Sequence, residues 1–201
     1  MLDRIALKLL KPAVDAIALR LSALKVSADQ VTLAGFGIGM VAAGLIASGH
    51  AMLAILPLVL NRAMDGIDGA LARLSGSSER GAFLDISLDF VFYAAIPLAF
   101  AVEDPGRNAL AGATLLAAFV VTGTSFLGFA VMAEKRGLRS TAYPSKAFYY
   151  LGGLTEGTET ILCFLLMCLW PEQFAIFAYI YAAMCGLTAV TRLVAGWKVF
   201  G

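Results

Sequence analysis

Four aspartates, Asp65, Asp68, Asp85 and Asp89, fall within twenty-five residues of one another in an otherwise greasy stretch of chain. Asp65 and Asp68 are three residues apart and Asp85 and Asp89 four, so on helices each pair shares one face. Four negative charges converging where the dielectric is low repel strongly unless something positive lies between them. Ionisable groups in membrane segments are functional candidates, and hard carboxylate oxygens suit Mg2+, Mn2+ or Ca2+. The pattern therefore points to a metal site. Gly66 and Gly69 leave backbone open to a bulky anionic group, and Arg73, one turn beyond Gly69, is a fork donor suited to a phosphate. Carboxylates, metal, glycine and arginine together describe a diphosphate site. Buried ion pairs with Arg62, Arg73 and Arg80 are the plain alternative, but they leave four acids against three bases and give Gly69 no role.

The elements that must position these residues are membrane helices. With 201 residues, 60% of them hydrophobic and 14% charged, and a mean hydropathy of +0.84, the chain is not a soluble globular domain. It is expected to be a single all-α integral membrane domain over residues 1–201. A spanning helix needs roughly 20 apolar residues, and six candidates run over residues 30–49, 51–72, 81–102, 109–133, 147–169 and 173–197. Turn chemistry separates them at Ser48-Gly49-His50, Ser75-Gly76-Ser77-Ser78, Asp104-Pro105-Gly106, Thr141 to Ser145 and Trp170-Pro171-Glu172. Residues 1–25 differ: Leu2, Ile5, Leu9, Ala13, Ile17, Leu21 and Leu24 recur at helical spacing among charges, which predicts an amphipathic helix in the headgroup region, bent at Pro12. A signal peptide is disfavoured, because the stretch lacks an uninterrupted apolar core and a small-residue cleavage site.

With a cytoplasmic N-terminus and six spans, 13 of the 15 basic residues fall on or near the cytoplasmic side. Arg107 faces outward and Arg62 sits inside the second span. The positive-inside rule supports this topology, with the aspartates towards the cytoplasm. Cys163, Cys168 and Cys185 have no metal-ligand or disulfide spacing and are expected to pack in the core. Gly35 and Gly39 predict close helix packing, within the subunit or across a dimer. Trp170 and Trp197 suit the interfacial aromatic belt.

The stretch Asp65-x-x-Asp68-Gly69-x-x-Ala72-Arg73, followed by Gly81-x-x-x-Asp85-x-x-x-Asp89, resembles the signature of the CDP-alcohol phosphatidyltransferases. All eight defining residue types stand in order, with seven residues between Arg73 and Gly81, slightly fewer than is usual. Upstream, Ser27 to Gly35 is similar to the family's entry into the first span, with Ala28 and Asp29 in place of its Pro-Asn and with Thr32 retained. The resemblance implies a two-metal site, Mg2+ or Mn2+, held by Asp65, Asp68, Asp85 and Asp89. It implies CDP-diacylglycerol as donor, lying near Asp29, Thr32, Gly69, Ala72, Arg73 and Gly81. Asp89 would also be the general base that takes the acceptor's proton as CMP leaves. A homodimer is implied with it; the compactness of the chain suggests a bacterial inner membrane, and no nucleic acid is expected as a partner.

The acceptor is open. Lys135, Arg136, Arg139 and Lys146 fall in one cytoplasmic turn and could hold the phosphate of glycerol 3-phosphate or inositol phosphate, or simply anchor the chain to anionic lipid. Phosphatidylglycerol, serine and inositol are the other acceptors. Glu156 and Glu159, three apart in the fifth span, should face the protein interior and could bind a polyol or offset Arg62. Two rivals from other classes are weaker. Membrane prenyltransferases carry their aspartates on more distant helices. A cation transporter using the acids as its ion path predicts an internal repeat, and none is visible.

Overall fold

The computed structural model describes residues 2–138 and 153–201, and every regular element within them is helical. The order is α1 (Leu2–Ala23), α2 (Ala28–Ala47), α3 (Ala51–Ser75), α4 (Glu79–Glu103), α5 (Pro105–Lys135), α6 (Gly157–Leu169), a 3-10 turn (Pro171–Gln173) and α7 (Phe174–Phe200). Local chemistry sets several of the starts. Ser27 Oγ accepts from the Gln30 N–H at 3.2 Å while the Gln30 side chain accepts from the Ser27 N–H at 3.0 Å, a reciprocal cap that opens α2. Ser78 Oγ accepts from the Gly81 N–H at 3.0 Å to open α4, and Asp104 accepts from the Arg107 N–H to open α5, with Pro105 in its first turn. Gly76 ends α3 at φ +90°, where a side chain is strained, and the chain reverses there into α4.

Among the described residues, four helical stretches are long and apolar enough to cross a membrane: Ala28–Ala47, Glu79–Glu103, Pro105–Lys135 and Pro171–Phe200. The expected span at 51–72 is helix α3, whose 25 residues cover about 37 Å. Its apolar run is broken by Arg62, Asp65 and Asp68. The expected helix over 147–169 is corrected within the described residues. Residues 153–156 are not helical and α6 begins at Gly157. Its 13 residues reach about 20 Å, short of a roughly 30 Å hydrocarbon core. At the other end, α1 is one helix through Pro12, where a bend was expected, and α5 begins at Pro105 instead of residue 109.

Packing explains the order. α2 lies along α3 and also meets α4, α5 bridges α4 and α7, and α6 sits on α3 and α7. Phe92, Ile96 and Phe100 of α4 interleave with Leu115 of α5, Phe164 and Met167 of α6 and Cys185 of α7 in the main core. All three cysteines are buried thiols, as a packing role requires. A smaller core of Ala18, Val31, Ala70 and Leu71 fastens α1 over the end of α3 that carries the aspartates. The Gly35/Gly39 pair works within the subunit. A β-carbon on Gly39 would lie 2.7 Å from Phe92 Cδ2, and one on Gly35 would lie 3.1 Å from Met64 Cβ. Gly37, between them, faces outward with open space around it.

This contrast is testable by thermal melting in detergent. Gly39→Ala forces Phe92 out of place and should cost about 1–3 kcal/mol. Gly37→Ala should leave the melting temperature unchanged or raise it slightly, by the better helix propensity of alanine.

Candidate active site

Because α3 and α4 are joined by a tight turn and run antiparallel, helix arithmetic fixes which acids stand level. Asp65 lies ten residues before the end of α3 at Ser75, and Asp89 ten after the start of α4 at Glu79. Both are therefore about 15 Å from the turn. Asp68 and Asp85 are seven and six residues away, about 10 Å. One carboxylate oxygen each from Asp65, Asp68 and Asp85 lies within 4.8 Å of the others. Asp89 lines the same cavity, with Thr32, Gly35 and Phe36 of α2, Asn61 of α3, and Leu88 and Phe92 of α4.

Neighbouring side chains orient this set. Asp68 is buried, and Thr32 Oγ1 donates to its Oδ2 at 2.7 Å. Asn61 Nδ2 donates to the Gly35 carbonyl at 2.9 Å, tying α3 to α2 beside the cavity. Arg62 donates to Asp65 Oδ2 through Nη1 and to Thr158 Oγ1, at 3.2 Å, through Nη2. The acids are thus fixed from α2 on one side and from α6 on the other.

The donor set fits a small hard cation. Ligands about 2.1 Å from Mg2+ are at most about 4.2 Å apart across the ion. Three carboxylate oxygens within 4.8 Å of one another surround a space of that scale, and closing on one ion brings neighbouring ligands to about 3 Å. All are oxygens, with no soft ligand among them.

The remaining sequence-derived residues divide into groups. Gly69, Ala72 and Arg73 continue along α3 beyond Asp68. Arg73 is exposed, and its guanidinium folds back to 3.5 Å from where a β-carbon on Gly69 would stand. Asp29, Arg80 and Gly81 form a rim cluster between the starts of α2 and α4. Arg80 Nη2 and Nε donate to Asp29 Oδ2 at 2.6 and 3.0 Å. A β-carbon on Gly81 would come within 3.0 Å of the other Asp29 oxygen, so glycine there admits the carboxylate. Arg80 is therefore held by Asp29, and neither lines the aspartate cavity.

Among the described acceptor candidates, none lines the aspartate cavity. Lys135 is exposed at the end of α5, and Arg139 and Lys146 lie outside the described residues. Glu156 is buried just before α6 and accepts from the Gly153 N–H at 3.4 Å. Glu159 follows in the first turn of α6, and neither glutamate lines the aspartate cavity.

Two residues with larger parts than the sequence suggested are Arg62 and Arg192. Arg192, visible in the sequence only as part of the basic bias, is buried between α7 and α5. It donates to the Thr122 carbonyl at 3.2 Å and lies 5.3 Å from the Phe126 ring centre. The one signal available was a charge inside an apolar run.

Comparison with known proteins gives this geometry its context. Residues 25–197 match the CDP-alcohol phosphatidyltransferase family, and the chain belongs to it. It is 48% identical over 197 residues to the inner membrane protein YnjF of Escherichia coli K12, covering 98% of this chain and 96% of that one. It is 31% identical over 123 residues to the archaetidylinositol phosphate synthase of Pyrococcus horikoshii, covering 61% of this chain and 65% of that one. Among solved structures, phosphatidylinositol phosphate synthase of Mycobacterium tuberculosis with CDP-DAG bound superposes with a TM-score of 0.73. That match has 23% identity and covers 92% of this chain and 93% of the other, so it speaks to the fold. The same enzyme in complex with manganese and citrate gives a TM-score of 0.70 at 22% identity, over 92% of this chain and 88% of the other.

If the triad is a metal centre, Asp65→Asn, Asp68→Asn and Asp85→Asn should each weaken Mn2+ binding at least about 10-fold. Asp29→Asn, at the rim, should leave it unchanged. Titration of Mn2+ followed by its electron paramagnetic resonance signal separates the two groups.

Proposed function

We propose that this member of the CDP-alcohol phosphatidyltransferase family moves a phosphatidyl group from CDP-diacylglycerol to an alcohol and releases CMP. The observation that carries the reading is the convergence of Asp65, Asp68, Asp85 and Asp89 from α3 and α4 on one cavity. Family membership and the CDP-DAG held by the mycobacterial enzyme support the donor.

In this reading Asp89, which borders the cavity outside the closest group of three carboxylates, accepts the proton of the acceptor hydroxyl. The hydroxyl oxygen bonds to the phosphorus that carries the diacylglycerol, and the bond from that phosphorus to the CMP oxygen breaks. Asp65, Asp68 and Asp85, with Asp89 beside them, would hold Mg2+ or Mn2+, expected as two ions, which would supply charge neutralisation to the diphosphate. Gly69 and Ala72 keep the surface of α3 low enough for the nucleotide to lie on it, and Arg73 donates to a phosphate as a planar fork. Thr32 holds Asp68 in place, and Asp29 and Gly81 border the cytidine side.

For the acceptor we favour a phosphorylated polyol, inositol phosphate or glycerol 3-phosphate. Arg192 supplies a buried positive charge inside the bundle, with Thr122 beside it. Glu156, Thr155 and Thr188 give the same region acceptors and hydroxyls. Lys135, at the end of α5, and Arg139 and Lys146, further along the sequence, add positive charge, and Glu159 stands near the start of α6. The name of the Pyrococcus relative points to the same class of acceptor.

We place the chain in a bacterial inner membrane, as for the Escherichia coli relative, as a single domain of six passes. In that arrangement α3 and the segment ending in α6 complete the set begun by α2, α4, α5 and α7, α1 lies in the interface, the aspartates face the cytoplasm and two copies pair as a homodimer.

Purified protein should release CMP from CDP-diacylglycerol with Mg2+ and one acceptor from a panel of inositol phosphate, glycerol 3-phosphate, inositol, serine and phosphatidylglycerol. Asp89→Asn and chelation should each abolish release. Absence of release with every acceptor, in protein that melts cooperatively, would sink the reading. Arg192→Gln should raise the KM of a phosphorylated acceptor about 10-fold or more and leave that of CDP-diacylglycerol nearly unchanged. Orientation is checked by Ser77→Cys, which should be labelled from the cytoplasmic side, and Gly106→Cys, which should be labelled from the other.

A further inference from the structure

Three arginines lie close to the acids in sequence, and they are used differently. Arg80 is held by Asp29, Arg73 reaches over Gly69 at the surface, and Arg62 turns into the bundle against Asp65. Arg62 and Asp65 are one turn apart on α3, and both side chains are about 70% shielded from solvent. The second arm of the same guanidinium donates to Thr158 Oγ1 of α6, 96 residues further along the chain. Gly157 is part of this contact. A β-carbon there would stand 3.3 Å from Arg62 Nη1 and 3.4 Å from the Tyr93 hydroxyl. The missing side chain lets the first residue of α6 lie directly against the guanidinium.

Two physical consequences follow. A carboxylate gripped at one oxygen by a fixed donor has its rotation stopped, which leaves the other oxygen presented in a set direction. Groups that orient metal ligands in this way typically contribute about 10–100-fold to affinity or activity. The grip is also only as firm as its own anchor, and Thr158 supplies one from a helix that carries none of the four aspartates. A lysine in the same place would keep the charge but lack the planar fork that reaches both partners at once.

We propose that Arg62 is a positioning residue that fixes Asp65 by one carboxylate oxygen and is itself anchored to α6 through Thr158. Docking of α6 on α3 thereby sets the geometry of the aspartate cluster. The inference rests on the transferase reading with its metal centre. It differs from a role in charge balance alone, which makes the opposite forecast: removing a positive charge beside four carboxylates would tighten cation binding.

The test uses the full chain in detergent, with Mn2+ binding read by electron paramagnetic resonance and CMP release measured in parallel. Wild-type protein that neither binds Mn2+ nor releases CMP overturns the transferase reading and this inference with it. Given a working wild type, Arg62→Lys should weaken Mn2+ binding or lower kcat by about 10–100-fold, with the KM for CDP-diacylglycerol within about twofold of wild type. Thr158→Val should act in the same direction by less. The double variant should be no worse than Arg62→Lys, because the two residues act through one contact. Wild-type Mn2+ affinity and kcat in both single variants, or fully additive losses in the double, would overturn the proposal. So would tighter Mn2+ binding by Arg62→Ala. Should Arg62→Lys fail to melt cooperatively, Thr158→Val, which keeps every charge, decides the matter alone.

Discussion

Carboxylates brought to within 5 Å of one another repel, by roughly 3 kcal/mol per pair at an effective dielectric of about 20. In this chain three approach that closely and a fourth borders the same cavity, among helices whose other faces are lipid-like. Such an arrangement holds only if the scaffold is stiff, because any freedom would let the acids move apart. The stiffness comes from register. One tight turn at Gly76 fixes how α3 and α4 stand against each other, and every aspartate inherits its height from that turn. A helix of this kind cannot slide by one residue without moving an acid by about 100° around its axis and 1.5 Å along it.

The helices around this pair act as braces. α2 approaches α3 and α4 closely because Gly35 and Gly39 offer no side chain, and the close approach is what puts Thr32 within 2.7 Å of Asp68. Asn61 then secures the contact by donating to the α2 backbone. α1 adds a lid of small and aliphatic residues over the same end of α3, through Ala18 against Ala70 and Leu71. Small residues in the sequence therefore bear on the chemistry indirectly: they set interhelical distance, and distance sets which oxygen meets which.

Much of this was legible in the sequence, and the reasons differ by element. The aspartate spacing was informative because a helix converts residue number into angle and height with little error. The turn at Ser75 to Ser78 was legible because its signal is local, and the cap that Ser78 forms there spans only three residues. The start of α6 was misjudged because hydropathy is blind to a break that costs no polarity. Leu154 and the glycine before it read as membrane chain whether or not they are helical. Arg62 and Arg192 were visible as charges, but their partners Thr158 and Thr122 lie 96 and 70 residues away. Nothing in a lone threonine marks it as the group that a buried arginine will reach. Asp29 shows the converse case, where a residue singled out by resemblance is occupied by Arg80, which the sequence offered as a partner for the clustered aspartates instead.

The irregular segment before α6 has a physical logic of its own. Non-helical backbone at membrane depth is tolerated only where protein or water satisfies its polar groups. Here the Gly153 N–H finds Glu156, Thr155 donates to Thr188, and Thr160 shares a hydrogen bond with the Tyr181 hydroxyl. Gly153 also lets Arg192 come close, with Nη2 3.2 Å from where its β-carbon would be. The stretch before α6 sets Gly153 against Arg192 and Thr155 against Thr188, and Thr158, in the first turn of α6, touches Arg62. The same segment that gives the bundle a place for polar groups therefore also brings the start of α6 into contact with the grip on Asp65.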